Sequence, residues 1–168
     1  MLRCLFVVVL AGFFASCAKP ALPDLVVRAS SSGDLVSFRS DLGVRFTADE
    51  IALFDTALQE LQLEAMNRNV SPAAAREADM RSVVDGQTVH ATLILGWQAR
   101  RQRIVEEIAT FTAMRDHDLK LQQDTAATGT SQTILNRLKN EMDILARLGR
   151  DLADTDQRLT TWGAAPKK

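Results

Sequence analysis

From Val89 the chain runs to Pro166 without a proline, and its second half carries Leu138, Leu145, Leu152 and Leu159 at intervals of seven. A seven-residue apolar repeat keeps one stripe of an α-helix turned toward a partner along its whole length, so this segment has to pack against another helix. Leu135 and Met142 are expected to fill the intervening seam positions, with Gly149 and Asp156 weakening the same seam. The small and polar run Thr125 to Ser131 divides the proline-free stretch into two helices, 89–124 and 132–162. A turn centred near Thr128 folds them antiparallel and sets Leu121 against Leu135, Met114 against Met142, Phe111 against Leu145, Ile108 against Leu148, Ile104 against Leu152 and Trp97 against Leu159. At a rise of about 1.5 Å per residue each arm is roughly 45 to 55 Å long. One continuous rod is the alternative.

Two shorter helices precede this hairpin. Thr47-Ala48-Asp49-Glu50 spells a capping box, and Ile51, Phe54, Leu58, Leu61 and Ala65 then recur on one helical face until Asn67-Arg68-Asn69. Ser71-Pro72 supplies an N-cap and a proline at the first position of a helix reaching about Val84. Asp85-Gly86 marks a turn, after which Thr88 caps the first long helix. Upstream, Asp34 to Phe46 reads as a short helix followed by an extended link. The expected fold is all-α: an elongated helical bundle over 34–165, built on the long antiparallel hairpin, with the shorter helices covering its Trp97 end and a polar tip beyond Phe111.

Charge and motifs narrow the chemistry. A formal net charge of −1 spread over both signs offers no basic footprint for nucleic acid. No glycine-rich phosphate loop, Gly-x-Ser-x-Gly elbow or His-Glu-x-x-His motif occurs, so no catalytic, cofactor-binding or metal-ligating residue is assigned and an enzyme is disfavoured. Asp116-His117-Asp118 is the nearest approach to a metal cluster, but adjacent helical positions diverge by about 100° and favour a solvated face. His90, isolated near a helix start, reads as a surface or capping residue. Arg100, Arg101 and Arg103 fall on different faces, with Arg103 placed to pair with Glu107 one turn on as modest surface support. Trp97 and Trp162 are expected at one end of the hairpin, in the core.

The first residues carry a different message. Arg3 precedes the uncharged run Leu5 to Ala15, which is too short for a membrane span of roughly 20 apolar residues, and Phe14-Ala15-Ser16-Cys17 closes it. The segment resembles bacterial lipoprotein signals, apart from Phe14 where that family usually has Leu. The resemblance implies a signal peptide over 1–16, cleavage between Ser16 and Cys17, a thioether-linked diacylglycerol on Cys17 and acylation of the new amino terminus. Ordinary signal-peptidase cleavage at the small residues Ser16-Cys17-Ala18 is the alternative. Removing the leader takes away Arg3 and no acid, moving the formal net charge to −2, and leaves Cys17 as the one cysteine, so no intrachain disulfide forms.

Residues 17–33, with Pro20, Pro23 and a serine run, read as a lipid-anchored tether, although Leu25 to Val27 is apolar enough to dock. Val84 to Val89 is similar to an Asp/His-Gly-x-Thr turn of small uncharacterised bacterial lipoproteins, a likeness that implies no activity. The expected function is that of a non-enzymatic envelope lipoprotein, a helical scaffold held to the membrane through acylated Cys17 and binding a protein partner through its hairpin. Ala18 after the cysteine implies outer-membrane delivery, facing the periplasm, in a Gram-negative cell. A periplasmic module for a small or lipidic ligand is the second expectation, and an enzyme with a dispersed site the third.

Overall fold

A computed structural model describes residues 22–127, 129 and 131–164. The fold is an elongated all-α bundle. Among the described residues there are five α-helices: α1 (Ser32–Arg45), α2 (Ala48–Asn67), α3 (Ala73–Val84), α4 (Val89–Thr125) and α5 (Gln132–Thr161), preceded by a 3-10 turn at Leu22–Asp24. No described helix is long and apolar enough to cross a membrane.

Local chemistry sets most of the boundaries. At the start of α2 the Glu50 amide donates to Thr47 Oγ1 at 3.3 Å, and the Thr47 amide donates to Glu50 Oε2 at 2.9 Å, completing the capping box. The hydrogen bonds from Thr47 hold the Glu50 carboxyl below its ordinary value. A depressed carboxyl contributes stability that is present above the unfolded-state value and lost as pH falls through the folded one. Amide exchange in the first turn of α2 should therefore stay slow down to the ordinary glutamate range and accelerate below it. Glu50→Gln, which leaves no carboxyl to titrate there, should erase that acid-dependent step, and an unchanged exchange profile in the variant would refute the assignment.

The Ala91 amide bonds Thr88 Oγ1 at 3.1 Å to open α4, directly after a turn in which Gly86 takes a φ of 76°. That backbone is freely available only to glycine. Two boundaries differ from the sequence reading. α1 continues through Arg45 because its apolar face, Leu35, Phe38 and Leu42, keeps helical spacing against the core, leaving only Phe46 and Thr47 extended. Pro72 occupies the cap position of α3, so that helix begins one residue later than expected.

The segment expected as tether is structured from Leu22 onward. Val27 donates to the Gln87 carbonyl at 2.8 Å, Gly86 to Val27 at 3.0 Å and Val89 to Leu25 at 2.8 Å, while the Ala29 amide donates to Asp85 Oδ1 at 2.7 Å. Val26 forms an isolated antiparallel bridge with Thr88. Alternation explains why the strap holds: Val27 and Ala29 turn into the core, and Val26 and Arg28 face solvent. Residues 17–21 lie outside the described residues.

The core gathers at one end. Phe38 meets Phe54 edge-on at 5.9 Å, and Leu42, Leu58, Leu61, Met80, Val84, Val89, Leu93, Trp97 and Leu159 close around them. α5 runs antiparallel to α4: Trp97 meets Trp162, Arg101 reaches Asp156 and Asp118 holds Arg137, within about a helical turn of the register read from the sequence.

The seam itself is corrected. The leucines at 138, 145, 152 and 159 do face α4, but the positions between them are Glu141, Leu148 and Thr155, three residues on, and not Met142, Gly149 and Asp156. Met142 is 61% exposed, Leu135 37% and Met114 48%. A heptad alternates steps of three and four from each leucine, and the apolar character of Met142 and Leu135 obscured the fact that Glu141 and Thr155 occupy the three-step. Thr155 is reconciled to burial by donating to the Asp151 carbonyl at 2.7 Å.

Candidate functional site

Past Ile104, Asp118 is the one fully buried residue of the described part of α4. The distal halves of α4 and α5 therefore form a two-helix arm beyond the bundle, and between them lies a cleft of about 360 Å³ lined by Ala113, Met114, His117, Asp118, Arg137 and Glu141. Asp118 is held there by Arg137, whose Nε donates to Oδ2 at 2.7 Å while Nη2 contacts Oδ1. Glu141 is 5% exposed, and its Oε2 has no hydrogen-bond partner. One wall of the cleft is thus a satisfied ion pair, another an unsatisfied carboxylate, and Ala113 and Met114 add apolar surface.

A second polar cluster joins the bundle to the root of the arm. Glu60 of α2, 4% exposed, accepts from Arg100 Nη1 at 3.1 Å and from Arg103 Nε and Nη2 at 3.0 and 2.6 Å. Arg103 also meets Glu107 at 2.8 Å. The hydrogen bonds to Glu60 push the Arg103 guanidinium above its already high value, against the opposing pull of burial. The i,i+4 pair foreseen from the sequence is present, but the buried cross-helix contact outweighs it, so these arginines are structural ties and not surface support. Arg101 ties α4 to Asp156 of α5 at 2.7 Å.

Nearby, Trp97 and Trp162 stack edge-on at 5.6 Å, with the guanidinium groups of Arg100 and Arg158 at 5.4 and 5.0 Å from the Trp97 ring. Trp97 is buried and Trp162 half-buried, so neither ring is offered as a free surface.

The structure distributes the remaining sequence candidates as follows. Asp116 is exposed and engages Arg115, His117 is exposed at the cleft, and Asp118 points inward to Arg137. His90 sits half-buried in the first turn of α4. Ser16 and Cys17 lie outside the described residues. Glu60, Glu141 and Arg137 were not singled out by the sequence; a strict three-four reading of the seam places Glu141 inside it, and Glu60 falls between Ala57 and Leu61 on the apolar face of α2. No family model, curated protein or solved structure matches the chain.

Proposed function

We propose that this chain is a non-enzymatic envelope lipoprotein, held to the membrane through acylated Cys17, that presents the distal α4–α5 hairpin to another envelope component. The observation that carries the reading is the arm itself: two helices leave the core, and Met114, Leu119, Leu135 and Met142 remain open to solvent along them. A large apolar side chain kept exposed on a thinly covered arm is suited to burial against a partner. The anchor rests on the lipobox-like Phe14-Ala15-Ser16-Cys17, and the stretch between Cys17 and Leu22 acts as the link to the membrane. Two or three acyl chains hold a protein stably where a single one does not.

Labelling cells with a clickable fatty acid tests the anchor. Wild-type protein should incorporate the label and Cys17→Ser should lose it and accumulate as the longer precursor; unlabelled wild type would refute the anchor. For the arm, a photo-crosslinker at Met142 should trap a partner that one placed at exposed Val44, on α1, does not. Identical products from both sites would count against it.

A further inference from the structure

We infer that the cleft between the distal halves of α4 and α5 receives a primary ammonium group on an alkyl stem, with Glu141 as the anion that binds it. The inference deepens the reading of the hairpin as a binding arm and rests on it for the claim that the ammonium belongs to a partner.

Every guanidinium close to the cleft is committed elsewhere. Arg137 spends Nε and Nη2 on Asp118. Arg115, which the hairpin register brings opposite Glu141, turns both Nε and Nη2 to Asp116 on its own helix, at 3.0 and 2.7 Å. The lining of the cleft therefore holds two carboxylates against one guanidinium, and the carboxylate left over is the one with an unpartnered, buried oxygen. Burying such a group without a partner is costly, and native interiors leave few of them. A cationic ligand removes the cost.

The walls narrow the kind of cation. Met114 and Ala113 offer apolar surface to methylene groups, and a volume of about 360 Å³ lies within the range of small-ligand clefts. One free carboxylate oxygen suits a compact ammonium, whereas a guanidinium recognises a carboxylate through two parallel bonds. A metal ion needs several converging donors, and no group of three His, Cys, Asp or Glu among the described residues is placed to supply them. The same chemistry has two sources, the lysine side chain of a partner protein and a free alkyl diamine.

The test is a titration of the full chain, labelled with ¹³C at its methionine methyls, with n-butylammonium, 1,5-diaminopentane and Nα-acetyl-lysine N-methylamide. The Met114 resonance should move saturably, with a Kd on the order of a millimolar, while that of Met80, buried in the core, stays fixed. Glu141→Gln should weaken binding at least tenfold. Glu141→Leu, which restores an apolar seam residue, should abolish binding and raise Tm by a few degrees. Tighter binding of the lysine derivative points to a protein side chain, and tighter binding of the diamine to a free amine.

A Met114 shift that never saturates, or that persists unchanged in Glu141→Gln, overturns the inference. So does a fall in Tm for Glu141→Leu, which would mean that Glu141 already has a partner such as Arg115; Arg115→Gln should leave amine binding intact. Failure of the titration while Met142 crosslinking still succeeds removes the cleft and keeps the arm. Successful titration with no crosslink removes the arm and keeps the cleft.

Discussion

Gly96→Ala should destabilise the protein by about 3 kcal/mol, lowering Tm by roughly 6 to 12 °C, even though alanine is the better helix former by about 1 kcal/mol. A β-carbon at position 96 falls 2.4 Å from the Cα, 2.5 Å from the Cβ and 2.5 Å from the carbonyl oxygen of Ala57. Two of those three contacts are backbone, so no rotamer change relieves them and α2 has to move away from α4. Movement there opens the contacts of Phe54, Leu61 and Trp97 at once, where even a gap of about 1 Å forfeits much of the dispersion energy.

Gly149→Ala is the matched comparison. It too lies inside a long helix, but nothing stands within 4 Å of its added methyl group, so it should stabilise by about 0.5 to 1 kcal/mol. Opposite signs for two glycine-to-alanine changes in paired helices are the expected result of thermal melts. A stabilised Gly96→Ala would show that the α2–α4 crossing is looser than its geometry.

The difference between those glycines shows where the sequence stops being legible. Helix starts were readable because Thr47, Thr88 and the heptad leucines act through neighbours within a few residues, and the antiparallel register followed from matching two apolar patterns about one turn. Gly96 owes its role to Ala57, an entire helix away, and a glycine in a helical stretch looks the same whether it touches a backbone or open water. The strap at 25–29 was obscured for a related reason: a proline- and serine-rich composition describes what a segment does alone, while Val27 and Ala29 are held by carbonyl and side-chain acceptors of the turn at 85–87.

Among the site residues, Asp118 was visible as part of a polar triplet. Its partner Arg137 and the orphaned Glu141 became visible only with the register, because charge on a helix is informative once the opposite helix is in place.

Removing the carboxylate that joins the bundle to the arm is the second large perturbation. Glu60→Ala should cost about 3 kcal/mol, at the lower end of what breaking a buried ion pair costs, because it strands positive charges that the fold partly buries. Glu60 accepts three hydrogen bonds from Arg100 and Arg103, and with it gone Arg103 retains Glu107 at 2.8 Å while Arg100 retains only the face of Trp97 at 5.4 Å. Those residual contacts, and the 27 to 28% exposure of both arginine side chains, place the cost at the low end of the range.

The cluster also predicts non-additivity. In an Arg100→Met, Arg103→Met background no stranded guanidinium remains, so Glu60→Ala should cost far less there than it does in the wild type, with a coupling above about 1 kcal/mol. Denaturant melts of the cycle measure this, and additive costs would mean that the three groups are independent surface charges. Amide exchange separates the mechanism from general instability: loss of Glu60 should loosen α2 near Leu61 and the root of the arm at Ile104 before it loosens Leu42 of α1 or Met80 of α3, helices that contribute no residue to the cluster.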